Sequence, residues 1–144
     1  MGCGEVSATS VVMLPYAPAS VSAARWQLAA DLRDAGITET AISDAALVVS
    51  ELLSNAIRHA RPLPDSTVRV SWALSDGWLE VAVEDGGATT RPRASHPSLS
   101  SLGGRGLAIV DHLSANWGVE TSRGTTVWAV LAAPSRTPAG AAQA

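Results

Sequence analysis

The fold of this chain is decided by the stretch Leu47-Val48-Val49-Ser50-Glu51-Leu52-Leu53-Ser54-Asn55-Ala56-Ile57-Arg58-His59-Ala60. At about 100° per residue, its spacing predicts a helix with one apolar stripe that packs on a core. The stripe consists of Ile42, Ala45, Val49, Leu52, Leu53, Ala56 and Ala60.

Two polar residues lie on the side of this predicted helix away from the stripe. Glu51 and Asn55 are four residues apart, so they lie one turn apart, with Val48 and His59 as neighbours. A carboxylate and a carboxamide in this arrangement can supply a general base and a neutral oxygen ligand for a hard metal ion. The same pair also fits a solvated face of an ordinary surface helix.

Composition excludes several classes of protein. The chain has 144 residues, 47% of them hydrophobic, which indicates one globular domain. A net charge of -3 leaves no basic stripe for nucleic acid. All ten Lys and Arg residues are arginines, so a phosphate loop of the G-x-x-x-x-G-K-[ST] type is excluded.

Cysteine and histidine usage argues against a disulfide or a zinc site. Cys3 is the single cysteine, and His59, His96 and His112 lack metal-ligand spacing. No apolar run approaches the length of a membrane span, and the N-terminus lacks a signal-peptide pattern. We therefore expect a reduced, cytoplasmic protein with no membrane contact.

The first half of the chain reads as two helices. Residues 1–14 are predicted to be an N-terminal segment, frayed over 1–10, with a short edge strand over 11–14. Ser20 is predicted to cap a first helix that ends near Asp34. A second helix is predicted to run from its cap at Thr38 to about His59.

The second half reads as two hairpins separated by a long loop and a helix. Alternating residues predict strands around 68–72 and 79–83, joined at Ser75-Asp76-Gly77 as an antiparallel pair. A polar connection over 85–101 leads to a helix near Leu107 to Leu113, followed by strands over 116–121 and 125–131. This order predicts an α+β fold, a two-layer sandwich with a mixed, mostly antiparallel sheet and helices on one face. Its single domain would span residues 15–132, and a disordered tail would span 133–144.

A carboxylate and two glycines end the third predicted strand, in Val83-Glu84-Asp85-Gly86-Gly87. Glycines allow a ligand's ring to approach the backbone closely. A carboxylate accepts hydrogen bonds, so Asp85 would pair with the amine of adenine and reject the carbonyl of guanine. A plain turn after a strand explains the same residues.

Two further segments indicate a binding site only when they are considered together with the motifs above. Leu102-Gly103-Gly104-Arg105-Gly106-Leu107 opens a helix, where free amides and Arg105 suit an anion such as phosphate, or where glycines serve as a hinge. Gly124-Thr125-Thr126 enters the last strand, where threonine is ordinary.

Taken in order, the four segments resemble the GHKL (Bergerat-fold) ATP-binding domain shared by gyrase B subunits, histidine kinases and MutL-type proteins. Within that superfamily, the compact chain is most similar to anti-sigma-factor serine/threonine kinases and to short ATP-binding regulators of actinobacteria. The match is carried by residues 49–56, 104–107, 116–119 and 126–128.

The resemblance implies a role for each matching residue. Glu51 would be the general base, Asn55 the ligand of Mg²⁺ between the phosphates, and Asp85 the residue that reads adenine. Residues 88–102 would form a lid over ATP. The remaining nucleotide-binding residues implied are Gly87 and Thr126 near the base, and Gly104, Arg105, Gly106 and Leu107 around the phosphates.

Three departures from the family pattern stand out. Thr89 replaces the last glycine of Asp-x-Gly-x-Gly, and Thr125 replaces a lysine frequent before the late threonine. His59 lies inside the second helix and there is no separate dimerisation helix, so a phosphoacceptor histidine is not expected.

The resemblance implies a kinase that acts on a serine of an anti-sigma-factor antagonist, and a sigma factor as a further partner. Two alternatives are an ATP-dependent binding switch without phosphoryl transfer and a nucleotide-free docking module. No direct contact with nucleic acid is expected. A homodimer is compatible with the family, with an apolar face of the first helix as one candidate surface.

Overall fold

The computed structural model describes residues 6–87 and 105–136, with side chains described over 9–87 and 107–136. The elements are β1 (Val6–Pro15), α1 (Ala19–Asp34), α2 (Glu39–His59), β2 (Thr67–Ser75), β3 (Trp78–Asp85), α3 (Arg105–Leu113), β4 (Asn116–Thr121) and β5 (Thr125–Ala132). Within these ranges the strands form one sheet in the order β1-β2-β3-β5-β4, and each neighbouring pair is antiparallel. The predicted α+β sandwich is confirmed.

The β2–β3 hairpin forms where the alternating pattern predicts it. Its two-residue loop, Asp76-Gly77, has φ values of 50° and 82°, which suit the twist of a tight hairpin. The register pairs Trp72 with Val81 and Val70 with Val83, so their side chains face the helices together. Helix α2 packs against this buried face of the sheet.

Helix α2 turns its apolar stripe toward the buried face of the sheet. The hydroxyl of Thr38 accepts a hydrogen bond from the amide of Ala41 at 3.2 Å, which confirms the predicted cap. The stripe residues within the helix are all buried: Ile42, Ala45, Val49, Leu52, Leu53 and Ala56. Val48, predicted beside Glu51 on the outer face, is instead fully buried, because α3 also packs against α2 and widens its buried surface.

The expectation that no apolar run approaches the length of a membrane span is wrong for α2. Among the described residues, this 21-residue helix alone is long and apolar enough to cross a membrane, with a mean hydropathy of 1.2 over its most apolar window. Half of that window is buried inside the fold. The length and apolar character of α2 are therefore also those expected of a helix at the centre of a core.

Two predictions at the start of the chain need correction. Strand β1 begins at Val6 and pairs with β2 through Pro15, so residues 6–14 belong to the sheet and are not a separate segment. Helix α1 begins at Ala19 after Pro18 without a side-chain cap. The predicted cap, Ser20, is buried and donates a hydrogen bond to the carbonyl oxygen of Pro15 at 2.6 Å.

The tail predicted over 133–144 is ordered in its first part. Ala133 is buried, and its amide donates to the carbonyl of Gly77 at 2.7 Å. The carbonyl of Pro134 accepts from the amide of Thr38, and the amide of Arg136 donates to Gly36. These bonds fasten the chain after β5 to the α1–α2 turn, whereas residues 137–144 lie outside the described part.

Candidate functional site

A buried carboxylate ends strand β3 at the centre of the candidate site. Asp85 is only 4% exposed, and its Oδ1 accepts a hydrogen bond from the amide of Gly87 at 2.7 Å. Burial and, to a smaller extent, the charge of Glu84 raise the pKa of Asp85 from 3.8 to about 6, against the lowering effect of the Gly87 bond. Asp85 can therefore serve as a desolvated acceptor that is ionised at neutral pH.

The turn that follows Asp85 is attached to the exit of α2. The amide of Gly86 donates to the carbonyl of Arg61 at 2.7 Å, and the amide of Arg61 donates to the carbonyl of Gly87 at 2.9 Å. A methyl group at Gly86 would collide with the carbonyl oxygen of Pro62, so only glycine permits this approach. The attachment holds the Asp85 turn against the end of the helix that carries Glu51 and Asn55.

Threonine 125, rather than Thr126, lies beside Asp85. The β3–β5 register pairs Asp85 with Thr125 and Glu84 with Thr126, and directly opposed residues share one face of a sheet. Thr125 is buried, whereas Thr126 shares the other face of the sheet with Glu84. The structure therefore places Thr125, which the sequence analysis treated only as a departure, opposite Asp85, and it places the predicted Thr126 opposite Glu84.

A sequence signal for Thr125 exists but is ambiguous. In a strand, Thr125 has the same parity as Val127, Ala129 and Leu131, which are buried. The opposite parity, which contains Thr126, also carries Trp128 and Val130. Because both sets are apolar, alternation alone could not choose between the two threonines.

Glu51 and Asn55 lie on the helical layer, on the side of the sheet to which Asp85 and Thr125 point. Both side chains are half-buried, and α2 packs against β3, β5 and α3. The structure thus places these four polar residues on the helical side of the sheet, with Glu51 and Asn55 on the face of α2 away from its buried stripe.

Tyr16, the single tyrosine of the chain, was not identified from the sequence. Its hydroxyl donates to the carbonyl of Ile57 at 2.9 Å and also contacts the carbonyl of Ala60, at the last turn of α2. Burial raises the pKa of Tyr16, and the charge of Asp85 raises it further. No sequence pattern links one tyrosine before α1 to the distant end of α2.

The remaining predicted residues are only partly described. Gly104, Thr89 and the predicted lid over 88–102 lie outside the described residues, and Arg105 and Gly106 form the first turn of α3. The side chain of Leu107 is fully buried in the core and is not available to a ligand. Within 6–87 and 105–136, no three His, Cys, Asp or Glu side chains group to hold a metal ion.

Comparison with known proteins identifies the family. Residues 14–131 match the histidine kinase-like ATPase domain. The chain belongs to this family. A histidine kinase-like ATPase domain binds ATP, so the buried carboxylate and the helix-borne Glu and Asn lie in an ATP-binding fold.

Two kinds of relative are similar to this histidine kinase-like ATPase domain. Serine-protein kinase RsbW of Listeria monocytogenes serotype 4a (strain HCC23) is 30% identical over 114 residues, which cover 71% of this chain and 73% of the relative. Serine-protein kinase RsbW of Listeria innocua serovar 6a matches with the same identity and coverage. The crystal structure of the RsbU and RsbW domains of a Mycobacterium tuberculosis protein superposes with a TM-score of 0.69 at 23% identity. That likeness covers 90% of this chain and 34% of the solved chain, and it shows the fold.

Proposed function

We propose that this chain is an ATP-binding anti-sigma factor that phosphorylates a serine of an anti-sigma-factor antagonist. The observation that carries the proposal is the buried, ionisable carboxylate of Asp85 beside Thr125, on the side of the sheet covered by the helix of Glu51 and Asn55. The 30% identity to proteins named serine-protein kinase RsbW supports phosphoryl transfer to serine.

Asp85 would read the base of the nucleotide. An ionised carboxylate only accepts hydrogen bonds, so it would pair with the exocyclic amine of adenine and oppose the carbonyl that guanine has there. The hydroxyl of Thr125 would donate or accept a bond at the same place. Gly86 and Gly87 leave the edge of the turn free of side chains next to the base.

The phosphates would lie between α2 and the start of α3. Asn55 would offer its carboxamide oxygen to Mg²⁺, which supplies charge neutralisation when it is bound. Gly104, Arg105 and Gly106 would offer backbone amides at a helix start, and Arg105 would add a positive charge.

Glu51 would accept the proton of the acceptor serine. The serine oxygen forms its bond to the γ-phosphorus as the bond between that phosphorus and the bridging oxygen of ADP breaks. Phosphoryl transfer needs mainly positioning and electrostatic stabilisation, which these residues are suited to give. By controlling an antagonist, the chain would regulate a sigma factor in the cytoplasm, without contact to nucleic acid or membrane.

The test is a labelling experiment with γ-labelled ATP and Mg²⁺. The purified chain is added to soluble extract of the source cells from which its own gene has been deleted. We expect one protein to gain label on serine; Glu51→Gln should abolish the label while ATP affinity, measured by calorimetry, changes less than about threefold.

Two outcomes would contradict the proposal. ATP binding without any labelled serine would favour the binding switch. No ATP binding at millimolar concentration would favour the nucleotide-free docking module.

A further inference from the structure

Two large apolar side chains are exposed on the outer surface of the helical layer. Trp26 of α1 is 74% exposed and Leu47 of α2 is 42% exposed. The other large apolar residues exposed in the described part of the chain are Val11, Met13 and Trp78, which lie on strands.

Trp26 and Leu47 stand at the same level of the helix pair. A four-residue turn connects α1 to α2, so the helices run antiparallel. Trp26 lies eight residues before the end of α1, and Leu47 lies eight residues after the start of α2. At 1.5 Å per residue, both lie about 12 Å from the turn. We name this pair of residues the outer helix patch.

The outer helix patch adjoins the proposed general base. Leu47 and Glu51 are four residues apart in α2, so their side chains lie on one ridge, about 6 Å apart at their β-carbons. A group that takes a proton must come within about 3 Å of the hydroxyl that loses it. A protein whose serine reaches Glu51 therefore comes within one helical turn of Leu47.

We propose that the outer helix patch is the docking surface for the protein that carries the acceptor serine. This inference rests on the proposed kinase function. Small residues such as Ala23 and Ala30 flank Trp26, and charged residues surround the pair, among them the exposed Arg25 and the Arg33–Glu39 ion pair at 3.1 Å. An apolar centre containing an exposed tryptophan, with a polar rim, is the usual anatomy of a protein interface.

A second copy of the chain fits this surface less well than the acceptor does. A copy seated on the outer helix patch would cover the ridge of Glu51 and shield the base from its substrate. Val11 and Trp78, on the opposite face of the sheet, are available for self-association without that conflict.

The test uses the protein that gains label in the extract, once purified, as the substrate. We compare Trp26→Ser and Leu47→Ser with the matched control Trp78→Ser, which removes a tryptophan of 48% exposure from the opposite layer. We expect the KM for the acceptor to rise at least tenfold in both patch variants, with kcat and the Kd for ATP within twofold of wild type. Trp78→Ser should leave all three values unchanged.

The outcomes separate this inference from the function on which it rests. If no protein is labelled by the wild-type chain, the kinase function fails and the docking surface fails with it. If the acceptor is labelled and the patch variants keep a wild-type KM, only the docking surface is overturned. If Trp26→Ser converts a dimer to a monomer in light scattering without changing the KM, the patch is a self-association surface instead.

Discussion

Asp85 combines burial with a carboxyl group that is ionised at neutral pH, two properties that oppose each other. Its pKa is raised from 3.8 to about 6 in the folded state. Because each pKa unit corresponds to about 1.4 kcal/mol, the ionised form of Asp85 lowers the free energy of unfolding at neutral pH by on the order of 3 kcal/mol. The cost is absent below about pH 4 and grows as pH rises to about 6, because the folded state binds the proton more tightly. Such a cost is typical of a residue retained for binding.

We predict that base recognition weakens in acid. Protonation removes the ionised acceptor, so the affinity for adenosine should fall as pH drops through about 6 and be about tenfold weaker at pH 5 than at pH 7.5. Adenosine is the ligand to titrate, because it has no phosphate that ionises in this range. Asp85→Asn should bind weakly at both pH values; a steep pH dependence in that variant would assign the effect to another group.

A second residue-scale prediction separates the two threonines of β5. Thr125→Val keeps the side-chain shape and removes the hydroxyl beside Asp85, so the Kd for ATP should rise about fivefold to tenfold. Thr126→Val is the matched control, and its Kd should stay within twofold because it lies on the other face. Calorimetric titration measures both, and a larger effect at Thr126 would show that the sequence assignment of Thr126 was right.

At the scale of elements, the end of α2 is important because the turn after Asp85 is hydrogen-bonded to the residue that follows this helix end. The last carbonyls of a helix have no partner within the helix. Here the hydroxyl of Tyr16 donates to the carbonyl of Ile57 and contacts that of Ala60, and the next residue, Arg61, bonds to Gly86 and Gly87. Strand β1, α2 and the turn after β3 are thus connected through one helix terminus.

We predict that Tyr16→Phe lowers the free energy of unfolding by about 1 to 2 kcal/mol, because the part-buried carbonyls at the end of α2 lose their hydrogen-bond donor. Urea denaturation measures the change. Trp78→Phe alters an exposed aromatic residue on the opposite layer and should change stability by less than about 0.5 kcal/mol. Equal stability of Tyr16→Phe and wild type would show that water satisfies these carbonyls.

At the scale of the whole molecule, the chain after β5 closes the fold onto the α1–α2 turn. Ala133, Pro134 and Arg136 bond to Gly77, Thr38 and Gly36, and the last two lie just before the start of α2. The end of the described chain therefore supports the helix that carries Glu51 and Asn55.

We predict that a chain ending at Ala132 is less stable than one ending at Arg136 by about 2 to 4 kcal/mol. The shorter chain loses three backbone hydrogen bonds of about 1 kcal/mol each and the burial of Ala133. Denaturant midpoints of the two truncated chains, compared at equal slope, give the difference. Identical midpoints would show that these contacts add nothing to folding.

The sequence by itself determined the features that depend on local periodicity. The stripe from Ile42 to Ala56 predicted α2 and its buried face, Thr38 predicted its cap, and Asp76-Gly77 predicted the hairpin. Each depends on residues within a few positions of one another, where helical or strand geometry dictates which side chains share a face. The motifs of Glu51, Asn55 and Asp85 also indicated the family that the comparison found.

Only the tertiary structure decided the features whose cause lies far along the chain. Thr125 lies beside Asp85 because of the β3–β5 register, and β1 extends to Val6 because β2 supplies its hydrogen bonds. Tyr16 meets the end of α2, and Pro134 and Arg136 bond to residues of a turn roughly a hundred positions earlier. Burial and pairing in these cases come from partners distant in sequence, and local pattern carries no information about which partner a residue will meet.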